Sequence, residues 1–153
     1  MSTAFENLRR VIRYLDSQDW HYDVDHAESI IDFQLTIESQ LKSCQMVIET
    51  TDSEIISYGV APINVPEGKR AAVAEFITRA NYGLKIGCFE MDMDDGEVRY
   101  KSCLSTLDGV PSAQDLERHI DMPSYMLDRY GDGLLKIIFG FSTPLKAIRD
   151  IEG

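Results

Sequence analysis

Residues 86–104, IGCFEMDMDDGEVRYKSCL, indicate the fold class most directly. Asp95-Gly96 stands between two runs of alternating apolar and polar residues, which is the strongest short-range signal of a β-hairpin. A two-residue turn there would fix the register, with apolar side chains on one face and opposite charges directly across from each other on the other. The predicted pairs are Met93 with Val98, Asp92 with Arg99, Met91 with Tyr100, and Glu90 with Lys101.

The same register places Cys88 opposite Cys103. Counted outward from a two-residue turn, this is a hydrogen-bonded pair, whose Cβ atoms are farther apart than a disulfide favours. We therefore expect a reduced, structural cysteine pair, with a redox switch as the alternative.

Upstream of the hairpin, period-two alternation predicts further strands. It begins at Trp20, is clearest from Ile31 to Ile37, and continues through Cys44–Glu49 and Ile56–Val60. The spacings between these runs are short, which favours antiparallel neighbours. In the third of these runs we expect Ile56, Tyr58 and Val60 to form the apolar face.

Helices are predicted on either side of these strands. Thr3 and Glu6 have the spacing of a capping box, and a second helix runs from Pro66 toward Gly83 on an apolar stripe of Val73, Phe76, Ile77 and Ala80. Ser112 opens a third helix, which we expect to break near Pro123 and at Gly131–Gly133, and a short helix starts at Thr143-Pro144. The sequence thus predicts one domain over residues 1–153: an α+β fold, an antiparallel sheet with helices packed on one face, in the order α-ββββ-α-ββ-α(α).

Composition narrows the class of function. The chain carries 26 acidic and 15 basic residues, a net charge of −11, which argues against nucleic acid and anionic membranes as partners. Residues 16–67 hold eleven of the acidic residues and a single basic one, Lys42. The polar start lacks the apolar core of a signal peptide, so we expect a cytoplasmic protein.

Candidate chemistry is sparse. His21, Asp23 and Asp25 would share one face of a strand and could form a metal site, although an exposed polar face explains the same pattern. His119, beside charged neighbours on the third helix, is expected to be a solvated or cap-region residue rather than a base. No nucleotide-binding or acyl-transfer signature occurs, so no cofactor and no catalytic residue is predicted.

The second half of the chain resembles the YbjN domain family of bacteria. The similarity lies in VPEGKR (65–70), EFITRANYGL (75–84), GCFEMD (87–92) and DGEVRY (95–100), and it extends to GFSTP (140–144) and the last residues. The resemblance implies a fold like that of type III secretion chaperones, which are small, acidic, usually dimeric proteins that hold partner polypeptides without catalysis. The family brings no catalytic residues.

The leading hypothesis is therefore a non-enzymatic, chaperone-like or regulatory domain that binds a protein or peptide through a sheet edge or a helix face, as a homodimer. The alternative is a small metal- or ligand-dependent enzyme that uses the His21, Asp23, Asp25 face. Adaptable methionines and the acidic strand face nominate five residues for partner binding, with a basic segment as the partner. These are Asp32, Glu38, Met91, Met93 and Met126.

Overall fold

The computed structural model of the chain describes residues 2–153, and the predicted order of elements is confirmed. These residues form four α-helices and a six-stranded antiparallel sheet in the spatial order β1-β2-β3-β4-β6-β5. The helices are α1 (Ala4–Ser17), α2 (Arg70–Asn81), α3 (Ala113–Ile138) and α4 (Pro144–Glu152), and a 3-10 turn, Glu67–Lys69, precedes α2. The strands are β1 (Asp23–Asp25), β2 (Ile30–Thr36), β3 (Ser43–Thr50), β4 (Glu54–Val60), β5 (Cys88–Met91) and β6 (Val98–Ser105).

Helices α1, α2 and α3 pack on one face of the sheet, and α4 packs against α2 and α3. Ile31, Met46 and Tyr100 are fully buried under the helices. The capping box predicted at the start of α1 is present. Thr3 Oγ1 accepts from Glu6 N at 3.1 Å while Thr3 N donates to Glu6 Oε2 at 2.8 Å, which completes the capping box. All four apolar residues of the predicted α2 stripe are buried.

The predicted hairpin register is wrong by two residues. Met91, not Met93, lies opposite Val98, and Glu90 lies opposite Arg99. Asp92 N donates to Glu97 O at 2.9 Å, so the loop has four residues, of which Gly96 has a positive φ of 80°. The wider loop is stabilised by its surroundings, because Arg70 donates to the carbonyls of Met93 and Asp94 and Val65 N donates to Gly96 O.

A shift of two residues keeps every side chain on its predicted face. Lys101 still reaches Glu90 at 2.8 Å, now as a diagonal neighbour, whereas the Asp92–Arg99 pair is replaced by Glu90–Arg99 at 3.0 Å. Burial raises the pKa of Glu90, but the hydrogen bonds from Lys101 and Arg99 outweigh it and lower the pKa overall. Cys88 lies opposite Lys101, so the predicted Cys88–Cys103 pair is wrong and all three cysteines are free.

The face predicted for β4 is also wrong. Ile55, Ser57 and Gly59 point into the core, and Ile56, Tyr58 and Val60 lie on the face that the helices leave open. The small residues admit α3, since a Cβ at Gly59 would be 2.9 Å from Pro123 Cβ.

Helix α3 continues through both predicted breaks. Its glycines serve close packing: a Cβ at Gly131 would be 2.6 Å from Ser39 Oγ, and one at Gly133 would be 2.7 Å from Ile151 Cδ1. These glycines are present because side chains from other elements pack against the helix there. A rule that treats glycine as a helix breaker considers only the residues of the helix itself.

Candidate functional site

A groove follows the outer side of α3, where the β2–β3 turn packs against the helix. Two carboxylates one helical turn apart fix this turn: Asp128 Oδ1 accepts from Ser39 N at 2.6 Å, and Asp132 Oδ1 accepts from Gln40 N at 2.7 Å. Gly131 lies between them and lets the turn approach the helix backbone. We call this feature the α3 groove.

The α3 groove consists of two hollows that share Asp132. One, of about 310 Å³, is bounded by Glu38, Tyr125 and Arg129, and the other, of about 430 Å³, by Leu135, Phe139 and Phe141. The first hollow is rich in charge and the second is mostly apolar, so the groove changes character along the helix.

Large apolar side chains are exposed along the α3 groove. Tyr125 is 62% exposed, Phe139 61% and Phe141 81%, and Leu145 on α4 is partly exposed nearby in sequence. Single exposed apolar residues are ordinary on a protein surface, but a group rimmed by polar residues is typical of an interaction site.

The acidic side chains of the α3 groove are Glu38, Asp128 and Asp132, and its basic ones are Arg129 and Lys136. Arg129 lies over the ring of Tyr130 at 5.3 Å, which holds this guanidinium against the helix. The charged end of the groove is therefore acidic overall, in keeping with the chain as a whole.

Only Glu38, among the five residues nominated from the sequence, lines the α3 groove. Asp32 is exposed on the open face of β2, directly opposite Asp23. Met91 is half-buried and Met93 is 55% exposed in the hairpin loop, whereas Met126 is 4% exposed and belongs to the core. The nominated residues therefore do not form one surface.

Sequence reasoning missed Tyr125, Phe139 and Phe141. A usable signal existed, because Tyr125 and Phe139 are fourteen positions apart and so share one side of a helix. That signal requires α3 to be continuous, and the sequence predicted that it breaks twice.

The two edges of the sheet are protected in different ways. At β5, the Asn81 side chain accepts from Phe89 N at 2.7 Å and donates to Phe89 O at 3.0 Å, so the outward backbone groups of this residue are occupied. At the other edge, β1 has three residues and presents Asp23 and Asp25. Short, charged edges oppose the addition of a further strand.

The side chains of the proposed His21, Asp23, Asp25 face are all exposed. The Asp25 carboxylate accepts from Ala27 N and Glu28 N at 3.0 Å each, so it stabilises the β1–β2 turn. Within residues 2–153, no three His, Cys, Asp or Glu side chains are placed to hold a metal ion. Asp25 is thus explained by its role in the turn.

His119 is half-buried rather than solvated, which corrects the expectation from sequence. Its Nδ1 and the Ser102 hydroxyl lie 2.6 Å apart in a hydrogen bond between α3 and β6. Burial lowers the pKa of His119, with Arg118 acting in the same direction and Asp115 against it. Because Ser102 is 0% exposed, a substrate cannot reach its hydroxyl, and the pair joins helix to sheet.

A family model for YbjN, described as "Putative bacterial sensory transduction regulator", matches residues 7–136. The chain belongs to the YbjN family. A search of curated proteins returned no match.

The crystal structure of YbjN from E. coli, described there as a "putative transcription regulator", is similar in fold. The TM-score is 0.53 at 13% sequence identity, over 94% of this chain and 92% of that one. The predicted YbjN membership and α+β fold are thus confirmed, and the family description is that of a regulator rather than an enzyme. In residues 2–153, each helix is too short or too polar to cross a bilayer.

Proposed function

We propose that this YbjN-family chain is a non-enzymatic regulatory protein that binds an amphipathic, basic segment of a partner protein in the α3 groove. The observation that carries the proposal is the adjacency of exposed aromatic side chains, Tyr125, Phe139 and Phe141, to an acidic rim within one groove. Apolar anchors supply affinity, and charge around them selects the partner.

A helix face suits this role better than a sheet edge. The β5 edge is occupied by Asn81 at Phe89, and the β1 edge is short and acidic. A helical segment with apolar residues at three- and four-residue spacing could place its apolar face against Phe139 and Phe141 and its basic residues toward Glu38 and Asp128. Holding such a segment would be a chaperone-like activity.

The test uses two labelled helical peptides of about four turns with the same leucine spacing, one filled with lysine and the other with glutamate. We expect saturable binding of the lysine peptide by fluorescence anisotropy, and binding at least about tenfold weaker for the glutamate peptide. Phe139→Ala should weaken lysine-peptide binding by about tenfold or more.

Matched controls separate the groove from general attraction to an acidic protein. Phe5 on α1 is 60% exposed, so Phe5→Ala removes an equally exposed ring elsewhere. Glu38→Lys changes the charge of the α3 groove, and Glu28→Lys makes the same change on the exposed β1–β2 turn. Equal losses within either pair, or no binding of the lysine peptide to a folded protein, would contradict the proposal.

The homodimer and the cytoplasmic location remain predictions of the sequence. Light scattering on the free chain and on the peptide complex reads the oligomeric state directly. A dimer that dissociates when the lysine peptide binds would indicate that a second copy occupies the α3 groove in the free protein.

A further inference from the structure

A second hollow, of about 300 Å³, lies between α1 and the segment that leads into α3. It shares no lining residue with the α3 groove. Arg10, Arg13 and Tyr14 line it from α1, and Val110, Pro111 and Leu116 line it from the other side. We call it the α1 pocket.

The apolar wall of the α1 pocket is open to solvent. Val110 is 70% exposed and Pro111 is half-buried, while Leu116 at the base is 8% exposed. Such a wall favours an apolar ligand, and the volume is at the lower end of the range for small-molecule pockets, which starts at about 300 Å³.

Arg10 is fixed by a buried polar network. Its Nη1 donates to Ser2 Oγ at 2.7 Å and to Asn7 Oδ1 at 2.8 Å. Asn7 is 0% exposed, and its Nδ2 donates to Thr51 O and to Thr106 Oγ1. The guanidinium is therefore preorganised, and it has further N–H groups to offer a ligand.

Arg13 lies one helical turn further along α1. Within residues 2–153, neither Arg10 nor Arg13 forms an ion pair, although the chain as a whole carries a charge of −11. The Asp121 carboxylate accepts the hydroxyl of the lining residue Tyr14 at 2.9 and 3.0 Å, and Glu117 adds to the negative charge near that hydroxyl. Two cations beside an apolar wall complement an anion that carries an apolar body.

We infer that the α1 pocket binds a small apolar carboxylate, such as a medium-chain fatty acid. The carboxylate would lie against Arg13 and the free N–H groups of Arg10, where a guanidinium can donate two parallel hydrogen bonds. The apolar tail would cover Val110, Pro111 and Leu116. This site shares no residue with the α3 groove, so a negative result at either site leaves the other proposal unaffected.

The test is isothermal titration of the full chain with octanoate, below the concentration at which octanoate forms micelles. We expect saturable binding of about one octanoate per chain, and binding at least about tenfold weaker for the neutral octanamide. Arg13→Gln should weaken octanoate binding by about tenfold or more, whereas Arg9→Gln should not change it, because Arg9 lies over the Phe5 ring outside the pocket.

The apolar contact is tested by Val110→Ser, which should weaken octanoate binding, against Leu107→Ser as control. Leu107 is 59% exposed in the same connecting segment but does not line the pocket. Circular dichroism of each variant shows whether it is folded.

The inference would be overturned by no saturable binding of octanoate, by equal binding of octanamide, by equal losses in Arg9→Gln and Arg13→Gln, or by equal losses in the two serine variants. Binding of the glutamate peptide in place of octanoate, abolished by Arg13→Gln, would likewise overturn the inference and assign the pocket to an acidic protein segment.

Discussion

The Asn81 side chain pairs with the backbone of Phe89 as a neighbouring strand would. Its Oδ1 accepts the Phe89 N–H at 2.7 Å and its Nδ2 donates to the Phe89 carbonyl at 3.0 Å. Asn81 is the last residue of α2, so one amide joins the end of a helix to the edge of the sheet. Phe89 itself is 5% exposed and packs on Tyr100 and Tyr130, so this junction anchors part of the core.

We predict that Asn81→Ala lowers the free energy of unfolding by about 1–3 kcal/mol, because a partly buried N–H and carbonyl lose their partner. Urea denaturation measures the change, and amide hydrogen exchange at Phe89 should accelerate. Asn64→Ala is the control, since Asn64 makes an exposed hydrogen bond of 3.3 Å to Asp95 O. Equal stability of the two variants would contradict the prediction.

Gly59→Ala should destabilise the protein through the contact between β4 and α3. The added Cβ would lie 2.9 Å from Pro123 Cβ and 3.2 Å from the Pro123 carbonyl carbon, so the helix backbone must move. Overpacking of this kind costs about 1–3 kcal/mol. Gly68→Ala, which meets no atom within 4 Å, should leave the midpoint of thermal unfolding nearly unchanged.

The cysteine positions predict three free thiols. Thiol titration with a chromogenic disulfide, on protein purified in air and then unfolded, should count three. In the folded protein Cys44 should react last, because it is fully buried and burial raises its pKa to about 11. A count of one thiol would revive the redox alternative.

His119 makes stability depend on pH in a defined direction. Burial lowers its pKa from 6.5 in the folded state, so between the folded and unfolded values the unfolded chain binds more protons. The free energy of unfolding should therefore fall as pH drops through about 6.5 and level off below the folded pKa.

His119→Gln is the comparison, because it keeps a hydrogen-bonding group near Ser102 without titrating. Urea denaturation of both proteins from about pH 7.5 to 5 isolates the effect, since the exposed His21 and His26 are common to both. Burial is the main cause that raises the pKa of Asp121 above its usual 3.8. Titration of Asp121 therefore increases the free energy of unfolding as pH falls, which is opposite to the effect of His119, and the increase begins above pH 3.8. A difference between the two proteins that does not change with pH would contradict the assignment.

The sequence predicts those features that depend on neighbouring residues along the chain. The Thr3–Glu6 box and the α2 stripe are local patterns, and both are confirmed. The Asp95-Gly96 hairpin is placed correctly, but its register depends on Val65 and Arg70, thirty and twenty-five residues away from Asp95.

The sequence does not predict the features of β4 and α3 that depend on residues far away along the chain. On β4, either of two alternating sets of side chains could face the core. The more apolar set, which includes Tyr58, faces outward, because α3 packs against the other set and needs the space at Gly59. In α3, Gly131 and Gly133 read as helix breaks, whereas they admit Ser39 and Ile151. The α3 groove could not be predicted without a continuous helix and the turn that packs on it.

Asp23 and Asp32 are directly opposite each other at the outer edge of the sheet, an arrangement of like charges that weakens the pairing of β1 with β2. The same charges hinder fibril growth, because a fibril grows when identical strands from other molecules pair with an exposed sheet edge. If β1 of another molecule paired with this edge, its Asp23 and Asp25 would lie close to the same carboxylates of the first molecule and would be repelled by them. The acidic β1 edge thereby disfavours open-ended, strand-by-strand polymers of this chain.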